Sequence, residues 1–126
     1  MSKKSVRTDQ APAPVGPYSQ AIIANGFVFT AGQVALNPTT KSLAEGGIQA
    51  QTRQTLENVK VILEAAGTKL ENVVKTTVFL ASMSDFAAMN EIYATFFPAN
   101  PPARSTVGVA LPPGILIEIE TVAVLE

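Results

Sequence analysis

Hydrophobic and polar residues alternate strictly near the C-terminal end of the chain, a pattern typical of a β-strand. One face of this predicted strand carries Ile115, Ile117 and Ile119, because successive side chains of a strand point to opposite sides. The other face carries Leu116, Glu118, Glu120, Val122 and Val124. Since both faces are largely apolar, we expect both to be covered, with two carboxylates set into one of them.

An arginine stands in the strand-like segment just before, residues 102–109. A Leu-Pro-Pro-Gly turn lies between the two segments, so we predict a hairpin in which Arg104 and Thr106 share one face. If the Val107 and Val109 face joins the isoleucine face, Arg104 stands on the same side of the sheet as the glutamates. Arg104 is then either half of a structural ion pair or a guanidinium held for the carboxylate of a substrate.

The N-terminal third of the chain is rich in strand and turn signals. Residues 2–8 predict a short strand, and the Pro-rich residues 9–17 predict a loop. Two β-prone runs follow, residues 21–24 and 27–31, separated by Asn25-Gly26. Asn-Gly predicts a two-residue hairpin turn, because both central positions of that turn need a positive φ.

Two later segments repeat apolar residues every three or four positions and therefore predict helices. The first runs from Ile48 to Ala66, and Gly67 suits the position just after a helix. The second is capped by Ser84-Asp85 and stops before Pro98. A strand predicted over 73–81 separates the helices, which gives the order β-β-β-α-β-α-β-β.

This order predicts an α+β fold in which two helices cover one face of a five- or six-stranded sheet. The other face carries Leu116, Val122, Val124 and Gly108, and no predicted element is left to cover it. We therefore expect a second copy of the protein to cover that face. Arg104 and the glutamates would then lie at or near a subunit interface.

Composition limits the function classes. The chain has 126 residues, 47% hydrophobic and 15% charged, with a formal net charge of −1. We predict one domain, residues 1–126, that oligomerises to bury its apolar surface. Nine Lys and Arg against ten Asp and Glu leave no basic footprint for nucleic acid. The sequence shows neither a signal-peptide pattern nor a run long enough to span a membrane, which predicts a cytoplasmic protein.

Histidine and cysteine are both absent from the sequence. This excludes disulfides, thiol nucleophiles, His-based triads and zinc sites built on either residue. Asn90 falls in the apolar stripe of the second helix, where its amide either bonds a neighbouring loop or serves a site. Tyr18 is explained by loop packing or by a site, and Gly32 by a simple turn or by close backbone approach.

Seven short segments, taken together and in order, resemble the YjgF/RidA family and span essentially the whole chain. They are residues 16–21 (GPYSQA), 30–33 (TAGQ), 58–60 (NVK), 74–80 (VKTTVFL), 85–90 (DFAAMN), 102–105 (PARS) and 117–120 (IEIE). The resemblance implies a homotrimer of chorismate-mutase-like subunits, whose sheets form a central barrel with the helices outside. It also implies three ligand clefts between subunits.

The resemblance further implies a 2-iminobutanoate/2-iminopropanoate deaminase, a metabolite damage-control enzyme without cofactor or metal. Its substrates are the imines formed from 2-aminocrotonate and 2-aminoacrylate, and its products are 2-oxo acids and ammonia. Arg104 matches the arginine that grips the substrate carboxylate, and Glu118 matches the carboxylate that handles water and protons. The remaining cleft positions match Tyr18, Gly32, Asn90 and Thr106.

Two departures from the family pattern bear on the site. Many members read Ser-Gly-Gln where this chain has Ala31-Gly32-Gln33, so a hydroxyl near the cleft is lost. The loop before the last strand is one residue shorter than the commonest form. A symmetric hairpin would place Glu120 opposite Arg104, whereas the motif assigns water activation to Glu118 and leaves Glu120 structural.

Two other functions stay open. A module that senses a metabolite carboxylate without turnover would use the same Arg104. A ribonuclease or translation-inhibitor role has been attached to parts of the family, but the neutral charge and the lack of a basic, aromatic-rich surface argue against it here. The deaminase reaction needs few catalytic groups, because the carbon of a protonated C=N bond is already electrophilic. One guanidinium and one carboxylate would suffice.

Overall fold

A computed structural model of the protein describes residues 2–125, which form a six-stranded mixed sheet with two helices on one face. The α+β class, the strand number and the placement of both helices are as predicted. In chain order the elements are β1 (Lys4–Val6), β2 (Ala21–Ala24), β3 (Phe27–Thr30), α1 (Gly47–Ala66), β4 (Val73–Leu80), α2 (Phe86–Phe96), β5 (Ala103–Gly108) and β6 (Ile117–Val124). Within residues 2–125, no helix is both long enough and apolar enough to cross a bilayer.

The Asn-Gly turn and the Gly67 cap are confirmed. Asp85 stands at the N-cap of α2, but its side chain makes no capping hydrogen bond. Asn25 and Gly26 have φ values of 52° and 80°, and they join β2 to β3 as the Asn-Gly pattern requires. Helix α1 ends at Gly67, which has a φ of 95°. The next amide, that of Thr68, donates to the carbonyl of Leu63 at 3.0 Å and so satisfies one of the free carbonyls of the last turn.

The predicted hairpin of the last two strands is wrong. The order across the sheet is β1-β2-β3-β6-β4-β5, so β4 lies between β5 and β6. Strand β4 pairs parallel with β5 and antiparallel with β6. Helix α2 supplies the crossover that two parallel neighbours need. Alternation identified each strand, but it does not specify which strand lies beside it.

The core lies between the two helices and one face of the sheet. Ile117 and Ile119 of β6 are fully buried there, beside Val78 and Leu80 of β4. The apolar stripe of α1 covers them with fully buried side chains of Leu56, Val59, Ile62 and Leu63. The isoleucine face of the last strand is therefore the helix side of the sheet.

The opposite side, which we call the open face, is not covered by any helix of residues 2–125. Phe27 and Phe29 of β3 are 37% and 44% exposed there, and they pair with Val124 and Val122 of β6. Gly108 was expected on this face, and that expectation is wrong. It pairs with buried Leu80, and a Cβ on it would lie 3.2 Å from Cγ of Met83.

Candidate functional site

Arg104 lies on the helix side of the sheet, away from the glutamates, so the predicted common face is wrong. Arg104 pairs with Thr76 of β4, which is fully buried beneath the helices. Glu118 pairs with Phe79, whose side chain points to the open face. Because paired residues of neighbouring strands share a face, Arg104 and Glu118 stand on opposite sides of one sheet.

The Arg104 side chain rests on two aromatic rings of α2. Its guanidinium carbon lies 4.8 Å from the ring centre of Tyr93 and 5.5 Å from that of Phe86. Within residues 2–125 the single ion pair joins Arg7 and Asp9, so Arg104 forms no structural ion pair with Glu118 or Glu120. The guanidinium is held in place while its charge stays unneutralised.

Asn90, Arg104 and Thr106 form what we call the arginine half-site. Asn90 is half-buried and lies on the same face of α2 as Phe86 and Tyr93, since positions three or four apart share a helix face. The buried hydroxyl oxygen of Thr106 has no hydrogen-bond partner among residues 2–125. An unpaired buried hydroxyl costs roughly 1–3 kcal/mol, so a further group is expected to pair with it.

Tyr18, Gly32 and Glu118 meet at a different place, which we call the glutamate half-site. They line a cleft of about 440 Å³ together with Pro12, Ala13, Val15, Ala31, Gln33, Val34, Leu36, Pro112 and Ile115. The Tyr18 hydroxyl accepts a hydrogen bond from the backbone amide of Val15 at 3.2 Å, and its ring is 47% exposed. Packing against the loop therefore covers only part of the Tyr18 side chain.

Glycine is required at position 32 because a side chain would not fit there, and not because the backbone adopts an unusual conformation. A Cβ at this position would fall on the carboxyl group of Glu118, 2.8 Å from its Cδ and closer still to Oε2. The backbones of the next residues, Gln33 and Ile119, exchange two hydrogen bonds of 2.9 and 3.0 Å, and these bonds hold Gly32 beside Glu118. Of the two sequence interpretations of Gly32, close approach is the one that the structure supports.

The two glutamates differ in their surroundings. Glu118 is half-buried in the cleft, whereas Glu120 is exposed on the same face, two residues further along β6. Burial raises the pKa of the Glu118 carboxyl above its usual value, and the negative charge of Glu120 raises it further. A raised pKa makes it easier for the carboxyl to take up a proton and return it, which suits a general acid–base group.

Three buried amide side chains hold the loops around this cleft, and the sequence reasoning missed them. Gln20 holds the loop of residues 8–12, Asn58 the loop of residues 34–36 and Gln51 the loop of residues 114–116. Their bonds are Gln20 Nε2 to the Thr8 and Pro12 carbonyls (3.1 and 2.9 Å), Asn58 Nδ2 to the Val34 and Leu36 carbonyls (3.0 and 2.9 Å), and Gln51 Nε2 to the Gly114 carbonyl (2.9 Å). For Gln51 and Asn58 the available signal was an amide inside the apolar stripe of α1, because a buried amide must find partners.

The six predicted site residues thus divide into two groups of three that do not meet within one chain. The packing of Arg104 on Phe86 and Tyr93 was also missed. The helical period identified these two rings as part of one stripe without indicating what packs on them. Within residues 2–125, no group of three or more His, Cys, Asp or Glu side chains is arranged to hold a metal ion.

Comparisons with known proteins agree on one family. Residues 8–125 match the family model described as Endoribonuclease L-PSP. The RutC family protein slr0709 of Synechocystis is 57% identical over 99% of this chain and 98% of its own length. The 2-iminobutanoate/2-iminopropanoate deaminase of Salmonella typhimurium is 49% identical, over 96% of this chain and 97% of its own.

The crystal structure of Escherichia coli TdcF with bound serine has a TM-score of 0.92 to this structure. The two chains are 42% identical, and the match covers 98% of this chain and 99% of TdcF. Such agreement over nearly the whole length, in sequence and in fold, leaves one assignment. The chain belongs to the YjgF/RidA family, which the Endoribonuclease L-PSP model describes.

Proposed function

We propose that this protein is an imine deaminase that hydrolyses 2-iminobutanoate and 2-iminopropanoate to the 2-oxo acids and ammonia. The single observation that carries the proposal is the Arg104 guanidinium, which is seated on two rings and has no ion-pair partner within residues 2–125. A fork of this kind matches the two oxygens of a carboxylate. The name of the Salmonella relative supports the same reaction.

The proposed active unit is a homotrimer in which two subunits build each cleft. The arginine half-site of one subunit would face the glutamate half-site of its neighbour. Two observations support this: the half-sites lie on opposite sides of one sheet, and the open face exposes Phe27 and Phe29. A 2-imino acid is too short to reach across a sheet, so a second subunit must supply the missing half. Strand β5 is an edge strand, which leaves Arg104 accessible to that neighbour.

The proposed reaction uses only protein groups and water. Arg104 binds the substrate carboxylate, and the imine nitrogen is protonated, which makes its carbon electrophilic. Glu118 of the neighbouring subunit takes a proton from water as the oxygen attacks that carbon. The same carboxyl returns the proton to the nitrogen of the resulting carbinolamine. The C–N bond then breaks, and ammonia leaves with the electron pair of that bond. The C=O double bond forms as the carbinolamine hydroxyl gives its proton to the Glu118 carboxylate, which leaves the 2-oxo acid.

The hydroxyl of Thr106 and the amide of Asn90 would complete the contacts around the bound molecule. The unpaired Thr106 oxygen supports this assignment, because a substrate or water atom would satisfy it. Tyr18 would close the cleft on the glutamate side with its exposed ring face. No cofactor is needed for these steps.

The test is ammonia release from 2-iminobutanoate that is generated in the assay from the corresponding amino acid by an amino acid oxidase. We expect acceleration over spontaneous hydrolysis, and its loss in both Arg104→Ala and Glu118→Gln. Binding of 2-oxobutanoate without acceleration would instead indicate a metabolite sensor. RNA cleavage that falls with salt and survives Arg104→Ala would indicate the ribonuclease named in the family description.

A further inference from the structure

The ring beneath Arg104 is itself fixed from below. Tyr93 is 6% exposed, and its hydroxyl lies 2.7 Å from the Oγ1 atom of Thr76. Thr76 is fully buried and pairs directly with Arg104 on the neighbouring strand. The three residues therefore form a closed set: strand pairing joins Arg104 to Thr76, a hydrogen bond joins Thr76 to Tyr93, and the ring face returns to the guanidinium.

This kind of support leaves Arg104 able to bind an anion. A carboxylate partner would orient the guanidinium equally well, but it would occupy the same donors that a substrate carboxylate needs. A ring face attracts the cation and uses none of its N–H groups. Burial also raises the pKa of the Tyr93 hydroxyl, so the phenol stays neutral and adds no competing negative charge.

We propose that Tyr93, anchored by Thr76, is a positioning residue that holds Arg104 in the orientation that receives the substrate carboxylate. The proposal rests on the proposed function only for the identity of the ligand. Tyr93 itself touches neither water nor the reacting carbon in this scheme. Its contribution is to keep the fork of Arg104 ordered before the ligand arrives, which lowers the entropic cost of binding.

The chain offers a matched control in Phe97. Its ring centre lies 4.7 Å from that of Tyr93, and it is 7% exposed. It belongs to the same aromatic cluster, but the cation–ring contacts of Arg104 among residues 2–125 are with Phe86 and Tyr93. Tyr93→Leu and Phe97→Leu therefore remove one buried ring each from the same cluster, and only the first removes support from Arg104.

The experiment compares wild type, Tyr93→Phe, Tyr93→Leu and Phe97→Leu. Pyruvate affinity is measured by calorimetry, and the mobility of Arg104 is measured by ¹⁵N relaxation of its Nε–H group. We expect Tyr93→Leu to weaken pyruvate binding about tenfold, the size of a partly desolvated cation–ring contact, and to mobilise the Nε–H group. Tyr93→Phe keeps the ring and removes only the bond to Thr76, so it should recover most of the affinity but leave the Arg104 Nε–H group more mobile than in wild type, as Thr76→Val does. Phe97→Leu should bind pyruvate like wild type.

Imine hydrolysis by the same variants separates positioning from general damage. Loss of positioning raises KM for the imino acid more than it lowers kcat, whereas a collapsed site lowers both. If Tyr93→Leu fails to fold, Thr76→Val replaces it. This variant keeps the shape and removes the anchor, and we expect a faster-moving Arg104 Nε–H group.

Equal affinity and equal Arg104 mobility in Tyr93→Leu and Phe97→Leu, or unchanged mobility in Thr76→Val, would overturn the proposal. A wild-type protein that neither binds pyruvate nor hydrolyses imines would overturn the proposed function instead. In that case the mobility measurement still decides whether Tyr93 orders Arg104. The two failures are therefore distinguishable.

Discussion

The carboxyl group of Glu118 occupies the space where any residue other than glycine at position 32 would place its Cβ. The two residues come from different parts of the chain, and the bridge between Gln33 and Ile119 brings them together. Glycine is needed here because the carboxyl group of another residue fills the position. This relationship links a short loop after β3 to the proposed acid–base group.

Gly32→Ala should therefore displace the Glu118 carboxyl. The end of a glutamate side chain is flexible, so the cost in folding should be small, about 1 kcal/mol. The cost in rate should be larger, on the order of 100-fold in kcat, because a displacement near 1 Å at a reacting group is enough for that. Gly16→Ala is a control, since its Cβ would make only ordinary contact with the Tyr18 ring, at 3.8 Å. A normal rate in Gly32→Ala would show that the position of Glu118 does not limit turnover.

Arg104→Ala should abolish imine hydrolysis and leave the oligomer folded, because no ion pair within residues 2–125 depends on it. Arg104→Lys should recover little activity, since an ammonium cannot reproduce the planar two-point grip. Thermal unfolding and ammonia release measured on the same samples check both statements. A broken buried ion pair would cost several kcal/mol of stability. If the alanine variant loses that much stability and keeps its activity, Arg104 has a structural role instead.

Glu120→Gln should shift the acid limb of the pH–rate profile to lower pH. The negative charge of Glu120 contributes to the raised pKa of Glu118, so removing that charge lowers the pKa and lets Glu118 deprotonate earlier. The rate above the limb should stay close to that of wild type. Glu118→Gln should abolish turnover at all pH values and still bind pyruvate. Loss of turnover in Glu120→Gln with near-normal Glu118→Gln would reverse the assignment of the two residues.

The same raised pKa has a consequence for stability. The folded protein binds the Glu118 proton more tightly than the unfolded chain does. The stability that this bound proton contributes is therefore lost as the pH rises from the pKa of Glu118 in the unfolded chain through its higher pKa in the folded protein. Glu118→Gln should remove this decline. The measurement is the free energy of unfolding by urea between pH 4 and pH 7, a window that starts at about the ordinary pKa of a carboxyl and extends above it. In this window the unfolding free energy of the variant should change less with pH than that of wild type.

A charge on the open face should prevent assembly. Val122 pairs with Phe29, which is 44% exposed in the single chain and would be buried in the proposed trimer. Val122→Asp would place an unpaired charge in that interface, which is costly. Sedimentation equilibrium should then give a monomer mass or an unfolded protein, whereas Lys60→Asp, at an exposed residue of α1 on the helix side, should remain a trimer. A trimeric Val122→Asp would contradict the proposed interface.

Local signals predicted the elements well because each depends on residues close in sequence. Asn25-Gly26 specifies its turn by the φ values that it can adopt, and Gly67 specifies the end of α1 in the same way. Alternation also identified which residues of β6 share a face. Each of these inferences needed a window of about ten residues and no knowledge of a neighbour.

The pairing of strands is a non-local property, and there the sequence misled. Adjacency in the chain suggested that β5 and β6 pair, but β4 intervenes and turns Arg104 to the helix side. The family resemblance predicted Arg104 and Glu118 as site residues, yet it could not indicate their faces within one chain. The amides of Gln20, Gln51 and Asn58 were missed for the same reason, since each bonds a loop at least eight positions away.

Mixed trimers test whether Arg104 and Glu118 act together across a subunit boundary, as we propose. Arg104→Ala and Glu118→Gln subunits, each inactive alone, are co-expressed with different tags, and trimers that contain both are purified. If each cleft takes its arginine from one subunit and its glutamate from the next, random mixing of equal amounts restores both residues at about a quarter of the clefts.

We therefore expect roughly a quarter of the wild-type rate of ammonia release in an unselected equal mixture, and a rate clearly above either parent in the purified mixed trimers. As a control, both substitutions are placed in one subunit, which is mixed equally with wild type. A composite site leaves about a quarter of the clefts intact, and a site within one chain leaves about half. Mixed trimers of the two single variants that remain as inactive as their parents would contradict the claim.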